Sequence, residues 1–141
     1  MKEVSKIILI NPKNNILMYL RDKNSEIPYP GYWDFIGGGI EKNESMFEAI
    51  KREVKEEINF DLGEIKLIGQ VDVKLGMPLV LQDAENFIFT SKINIPLEEL
   101  KLSEGQKLGY FSLQEMNEIK LIPYWQEFLK NNRLTLGIKI N

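Results

Sequence analysis

Residues 38–60 read GGIEKNESMFEAIKREVKEEINF and carry the strongest structural signals in the chain. Ser45 followed three residues later by Glu48 is typical of a capping box, which satisfies free N–H groups at the start of a helix. Asn59 tolerates the left-handed conformation that ends helices. The pattern therefore predicts a helix that begins at Ser45 and ends at Ile58. Its expected buried face consists of the apolar residues that recur at helical spacing: Phe47, Ile50, Val54 and Ile58.

Three glutamates share another face of this helix. Glu53, Glu56 and Glu57 lie within an arc of about 100°, and like charges at this spacing destabilise a helix. Arg52 can pair with Glu56 one turn on, but Glu53 and Glu57 have no cation at helical spacing. Two interpretations are open at this point. Most acidic runs are solvated surface, whereas a cluster of carboxylates is also what a Mg²⁺ site requires.

The run Gly37-Gly38-Gly39 lies shortly before the acidic helix. Glycines let backbone groups approach a ligand closely, but a run of them also fits a tight turn and not a regular element. The run is not a phosphate-binding P-loop, because no Gly-Lys-Ser/Thr follows, and it lacks the spacing of the dinucleotide fingerprint. Its position next to the carboxylates favours the cation site.

Together these residues resemble the signature of the Nudix hydrolase superfamily. That signature is a glycine, five residues, a glutamate, seven residues, Arg-Glu, an apolar residue, any residue, Glu-Glu, any residue, glycine and an apolar residue. The matching positions are Gly38, Glu44, Arg52, Glu53, Val54, Glu56, Glu57 and Phe60. Asn59 stands where the family usually has glycine, and Ile36 stands where proline is common. Asparagine can also end a helix, so we expect the fold to be retained.

The resemblance implies an α/β fold of the Nudix type, an α/β/α sandwich with a mixed β-sheet and a catalytic loop-helix-loop. It also implies Mg²⁺ or Mn²⁺ as cofactor. The metal ligands carried over by position are Glu53, Glu56 and Glu57, with a carbonyl of Gly37 or Gly38 as a further ligand. By the same resemblance Arg52 orients the glutamates. Glu44 either pairs with Arg52 or holds a water on the metal.

The rest of the chain predicts a mixed α/β domain over residues 1–141. Strands are predicted over residues 4–10, 16–20, 33–36, 64–75, 79–93 and 107–111. Short helical stretches are predicted over residues 113–118 and 124–129, and the alternation at 133–141 indicates a terminal β-like segment. No repeat or linker divides the 141 residues, a length that suits one domain.

The composition excludes several kinds of chemistry. The chain has no Cys and no His, so disulfides, thiol nucleophiles, His-ligated zinc and Ser-His-Asp catalysis are absent. The net charge of −3 argues against a nucleic-acid polymer as partner. No apolar run approaches the roughly 18 residues of a membrane span, and no signal-peptide pattern is present. We therefore expect no membrane association, a cytoplasmic location, and a monomer or homodimer.

Acid–base chemistry must then rely on carboxylates. A divalent cation neutralises a pyrophosphate linkage and lowers the pKa of its bound water, so an activated water is the expected nucleophile. The base is predicted to be Glu53 or Glu57, or an acid from a late loop. Glu104 is preferred there because Gly105 and a predicted strand follow it. The alternatives in other loops and strands are Glu85, Glu98 and Glu99.

Substrate contacts are harder to predict. Tyr29, Tyr32 and Trp33 are candidates to stack on a base, although such aromatic residues more often pack in a core, and Arg21 is a weaker candidate. Side chains that could read the edge of a base are Asp83, Asn86 and Asn117.

Extended signatures of NADH-type and coenzyme A-type Nudix members are missing, which favours a compact, MutT-like enzyme. Its expected reaction cleaves a nucleoside triphosphate, including oxidised ones such as 8-oxo-dGTP, to monophosphate and pyrophosphate. The alternative substrate is ADP-ribose or a nucleotide sugar. A non-catalytic Nudix-like nucleotide-binding module and a structural domain with an acidic helix are hypotheses of other classes.

Overall fold

The computed structural model describes residues 2–138, which form one mixed β-sheet of seven strands with helices on both faces. The strands are β1 (Lys2–Ile10), β2 (Ile16–Leu20), β3 (Trp33–Asp34), β4 (Ile36–Gly39), β5 (Lys66–Val73), β6 (Ala84–Lys92) and β7 (Lys107–Phe111). The α-helices are α1 (Met46–Ile58), α2 (Pro123–Asn131) and α3 (Arg133–Leu136), and 3-10 turns cover Leu97–Glu99 and Glu115–Asn117. None of the helices in this part of the chain is long and apolar enough to cross a membrane.

The first strand is the centre of the sheet. The strand order is β3-β2-β1-β6-β5, with β4 paired to β1 and β7 paired to β2. β1 and β6 run parallel, whereas the other neighbours are antiparallel. β1 therefore holds β6 along one edge, and both β2 and β4 along the other.

Successive residues of β1 point to opposite faces of the sheet, and each face has its own core. Ile8 belongs to a cluster that includes Trp125 and Phe128 of α2. Ile7 belongs to a second cluster that includes Ile50 of α1. The sheet thus lies between α1 and α2, which confirms the predicted α/β/α sandwich.

The helix α1 has the ends that the sequence predicts. The Ser45 side chain accepts a hydrogen bond from the Glu48 N–H at 3.0 Å, and the Ser45 N–H donates to the Glu48 side chain at 2.9 Å. Asn59 adopts the left-handed conformation, with φ of 53°. Phe47 is the exception to the predicted buried face, because it is 46% exposed and only its ring edge contacts Phe89.

The prediction that the glycine run avoids regular structure is wrong. Gly37, Gly38 and Gly39 lie in β4 and pair with residues 4–6 of β1. A side chain on Gly37, whose φ is +141°, would collide with the backbone of Ser5 and Lys6. Glycine is therefore required for this close approach of two strands, a requirement that local sequence does not reveal.

Two further strand predictions need correction. The segment 79–83 is a loop, and β6 begins only at Ala84. Leu79, predicted to start the strand, has a φ of +62° instead, so the chain turns at this residue. The segment predicted as β-like begins with helix α3, because Leu136 packs into the core while Leu134 is 97% exposed. Residues 139–141 of that prediction lie outside the described part.

We predict that Asn59→Ala lowers the free energy of unfolding by about 1 kcal/mol, since alanine lacks the local side-chain hydrogen bonding that eases a positive φ. Asn59→Gly is the control and is expected to match or exceed wild type, because glycine adopts this conformation without strain. Urea unfolding of the three proteins measures the difference. Equal stability of the alanine and glycine variants would contradict the assigned role of Asn59.

Candidate active site

A cavity of about 330 Å³ opens where the glycines of β4 meet α1. Its floor is one face of the sheet and consists of Lys2, Val4 and Lys6 on β1, Val73 on β5, and Ala84 and Asn86 on β6. Acidic residues line it from α1 and from the loop before β7: Glu53, Glu57 and Glu104. Aromatic residues line it from the loop after β2 and from α2: Tyr29, Tyr124 and Trp125.

Glu53 and Glu57 lie against the glycine strand. Glu57 is only 7% exposed, and its carboxylate accepts a hydrogen bond from the Gly37 N–H at 3.3 Å. A Cβ atom on Gly38 would lie 2.6 Å from Cδ of Glu53. The missing side chain of Gly38 therefore makes the space that the Glu53 carboxylate fills.

Burial, helped by the neighbouring Glu53 carboxylate and opposed by Lys6, raises the pKa of Glu57 to about 8. Near neutral pH the metal-free protein thus retains a proton on this carboxyl group. A buried carboxyl group next to a second acid resists ionisation, and a bound cation would relieve that resistance.

Arg52 holds the acidic residues in place. Its guanidinium donates to both oxygens of Glu44, at 2.7 and 3.0 Å. It also donates to Glu53 at 2.9 Å, to Glu56 at 3.2 Å and to the Gly39 carbonyl at 3.0 Å. Of the two roles expected for Glu44, the structure shows the pairing with Arg52. This pairing lowers the pKa of Glu44 and raises that of Arg52.

The donor set suits a hard divalent cation. Two carboxylates, Glu53 and Glu57, lie beside the backbone of Gly37 and Gly38, and oxygen atoms are the ligands that Mg²⁺ prefers. Within residues 2–138 no three acidic side chains converge on one point. The side chain of Glu56 is 59% exposed and binds the same Arg52 nitrogen atom as Glu53 does. Glu56 as a metal ligand stays a prediction.

A second buried cluster, the Asp34 cluster, contributes positive charge to the cavity. Oδ2 of Asp34 accepts from Lys6 at 3.1 Å and from Arg21 at 3.0 Å. Oδ1 accepts from the Trp125 indole at 2.6 Å and from the Phe35 N–H at 2.7 Å. Although burial acts to raise the pKa of Asp34, the two cations and these hydrogen bonds lower it. Because the two cations Lys6 and Arg21 share the single carboxylate of Asp34, the Asp34 cluster carries a net positive charge.

Lys6 and Asp34 were not among the site residues predicted from the sequence. The available signal was the single lysine inside the apolar segment 4–10, since a lysine is almost never fully buried unless it is paired. Its partner Asp34 is 28 positions away in the chain, and no local pattern connects the two residues.

The other predicted residues separate into two groups. Arg21, Tyr29, Asn86 and Glu104 line the cavity. Trp33 and Tyr32 do not line it, because the ring of Trp33 packs against Phe111 at 4.7 Å and Tyr32 lies under the ammonium group of Lys120. The remaining candidates lie outside it as well: Asp83, Glu85, Glu98, Glu99 and Asn117.

A family model described as the NUDIX domain matches residues 2–130. The chain therefore belongs to the Nudix family. An 8-oxo-dGTP diphosphatase of Proteus vulgaris is 33% identical over 64 residues, which are 45% of this chain and 55% of that relative. The chain thus aligns with about half the length of this curated relative.

Solved structures show the same fold. The crystal structure of a MutT protein from Methanosarcina mazei Go1 has a TM-score of 0.77 and 26% identity, and the match covers 92% of this chain and 91% of that one. The NUDIX domain of Shewanella oneidensis NrtR complexed with ADP ribose has a TM-score of 0.76 at 15% identity, over 95% and 87% of the two chains. Family and relatives together indicate the predicted enzyme class, a pyrophosphohydrolase.

We predict that the metal-free protein becomes less stable as pH rises. The folded pKa of Glu57, about 8, exceeds its ordinary value of 4.5, so the native state binds more protons between these values. The free energy of unfolding therefore falls as pH increases through this window. Glu57→Gln removes this dependence and is expected to be more stable than wild type at pH 8. Denaturant unfolding in EDTA from pH 5 to 9 measures both effects. If the free energy of unfolding had the same pH dependence in wild type and in Glu57→Gln, the raised pKa would be refuted.

Asp34→Asn is expected to destabilise the protein by about 3–5 kcal/mol, since it leaves Lys6 and Arg21 without their buried counter-charge. The control is Asp61→Asn, which breaks an exposed pair with Lys55 and should cost at most about 1 kcal/mol. Guanidinium unfolding compares the two variants. Similar losses would show that the Asp34 cluster contributes no more than a surface ion pair.

Proposed function

We propose that this protein is a divalent-metal-dependent pyrophosphohydrolase that cleaves nucleoside triphosphates to monophosphate and pyrophosphate. The observation that carries the proposal is the Glu53–Glu57 pair held against the glycine strand in a cavity whose floor also presents Lys6. Acidic residues for a cation and basic residues for phosphate oxygens then face the same space. The reaction is the family's hydrolysis of a nucleoside diphosphate linked to another group, with monophosphate and pyrophosphate as the products.

The residues that would hold Mg²⁺ or Mn²⁺ are Glu53 and Glu57, with Glu56 and a glycine carbonyl as further candidates. When bound, such a cation neutralises phosphate charge and makes water a stronger nucleophile. Arg52 fixes Glu53 through the 2.9 Å hydrogen bond and is itself fixed by Glu44. Arg52 and Glu44 are therefore positioning residues, which keep the acidic pair oriented before substrate arrives.

Water is the nucleophile because the chain has neither Cys nor His. Its oxygen forms a bond to one phosphorus of the α–β linkage while the P–O bond from that phosphorus to the bridging oxygen breaks, which gives monophosphate and pyrophosphate. The proton passes to a carboxylate at the cavity, for which Glu53, Glu57 and Glu104 are the candidates. Arg21 and Lys6 offset the negative charge of the phosphates in the same cavity.

An oxidised guanine nucleotide such as 8-oxo-dGTP is the specific substrate that we propose. The similarity to the Proteus vulgaris 8-oxo-dGTP diphosphatase supports this choice. So does the aromatic lining of the cavity by Tyr29 and Tyr124, which suits a planar base. ADP-ribose or a nucleotide sugar is the alternative substrate.

A substrate panel tests this function. Purified protein with Mg²⁺ is offered nucleoside triphosphates, 8-oxo-dGTP, ADP-ribose and nucleotide sugars, and the products are separated by chromatography. We expect monophosphate plus pyrophosphate, with the highest kcat/KM for 8-oxo-dGTP. Cleavage restricted to sugar-linked diphosphates would replace the proposed substrate with the alternative one. Nucleotide binding without cleavage under any metal would indicate a binding module.

Glu57→Gln is expected to lower kcat at least about a hundredfold, because a neutral amide stabilises a cation and developing charge far less than a carboxylate does. The matched control is Glu127→Gln on the exposed face of α2, which should keep wild-type kcat. Steady-state kinetics in Mg²⁺ measure both variants. Near wild-type turnover in Glu57→Gln would refute the assignment of Glu57 to the reaction.

A further inference from the structure

One amide in the floor of the cavity has no hydrogen-bond partner in the part of the chain that the structure describes. Asn86 of β6 is only 5% exposed, and its side chain forms no hydrogen bond with any of residues 2–138. In the same residues, every side-chain nitrogen or oxygen that is fully shielded has a partner. The small accessible area of the Asn86 amide therefore faces the cavity that this residue lines.

The neighbours of Asn86 explain why its amide is unsatisfied. Val4 of β1 lies beside it in register on one side, and Val71 of β5 lies beside it on the other. Residues in register point to the same face of a sheet, so the amide is flanked by two apolar side chains. Neither valine side chain can form a hydrogen bond, so the amide faces the cavity without a partner on either neighbouring strand. A ligand in the cavity would satisfy the amide.

The position of Asn86 relative to the acidic residues suits a nucleotide. Val4 pairs with Asn86 on one edge of β1 and with Gly39 of β4 on the other edge. Asn86 is thus two strand spacings, or about 10 Å, from the glycine strand against which Glu53 and Glu57 lie. A nucleotide with its phosphates at the acidic pair would place its base over this part of the floor.

Aromatic residues line the cavity around the same space. The rings of Tyr29 and Tyr124 meet edge to face at 5.6 Å, and those of Tyr124 and Trp125 do so at 4.7 Å. Val80 and Ile122 add apolar surface. A planar base suits such surroundings because its faces are apolar and only its edge needs hydrogen bonds.

We propose that Asn86 selects the base of the substrate by hydrogen bonding to its edge. This inference rests on the proposed function, since it assumes a nucleotide in the cavity. A carboxamide offers a donor and an acceptor side by side, so it recognises a base that presents an acceptor next to a donor. Oxidised guanine, the base of the proposed substrate, presents such a pair as the O6 acceptor beside the N7–H donor. The ligand class is therefore an oxidised purine nucleotide, and Asn86 is a specificity-determining residue.

The test compares Asn86→Leu with wild type and with a matched control, Asn94→Leu. Leucine branches at Cγ as asparagine does and has no polar group, and Asn94 is an exposed residue just beyond the other end of β6. Calorimetric titration without metal measures the binding of AMP, dGMP, 8-oxo-dGMP, dCMP and dTMP. Thermal unfolding of each protein is measured alongside.

Wild type is expected to prefer one purine monophosphate. Asn86→Leu should weaken the binding of that monophosphate about tenfold or more, which is the scale of a lost bidentate contact to a base. Its affinity should then be close to the affinities of the pyrimidine monophosphates. Because the substitution also removes an unpaired buried amide, the melting temperature should stay the same or rise. Asn94→Leu should retain wild-type preference.

Three results would overturn the role of Asn86. The first is an unchanged base preference in Asn86→Leu. The second is an equal loss of affinity for all monophosphates together with a lower melting temperature of that variant. The third is that wild type binds none of the monophosphates. The measurement uses neither metal nor turnover, so it is separate from the hydrolase proposal. Base-selective binding that depends on Asn86, in a protein that cleaves no substrate, would support this inference and overturn only the proposed reaction.

Discussion

The packing of two carboxylates, one buried and one half-buried, against a strand of three glycines is the constraint on which the rest of the site depends. Glu53 occupies space that a side chain on Gly38 would fill, and Glu57 accepts the N–H of Gly37. Neither contact is possible unless β4 pairs closely with β1, which only glycine at position 37 permits. The acidic pair is thus positioned by the sheet as much as by its own helix.

The cost of placing these acids together is offset by groups around them. Arg52 ties Glu53 and Glu44 together, while Lys6 acts on Glu57 from the floor of the cavity. The Asp34 cluster holds Lys6 and Arg21 in turn. Opposite charges therefore alternate across the site, which suits a ligand that carries both a cation and phosphates. Asn86 is the exception, since no group of the described protein satisfies it.

Local signals were sufficient for the helix and its acidic face. The capping box, the left-handed Asn59 and the spacing of Arg52, Glu53 and Glu57 depend only on residues within two or three turns. The Nudix signature lies in the same stretch, so family and fold class were predictable. The strand ends between residues 74 and 83 were not predictable, because β-propensity depends on the strands and side chains against which a strand packs.

The sequence by itself determined the helix α1, its caps, the Arg52–Glu56 pairing and the resemblance to the Nudix family. Only the tertiary structure decided that the glycines form a strand, that Glu104 reaches the cavity while Trp33 does not, and that Lys6 meets Asp34. The physical reason is the range of the interactions. A helix satisfies its hydrogen bonds among near neighbours in the chain. A sheet pairs residues such as Val4 and Asn86, whose contact no local pattern specifies.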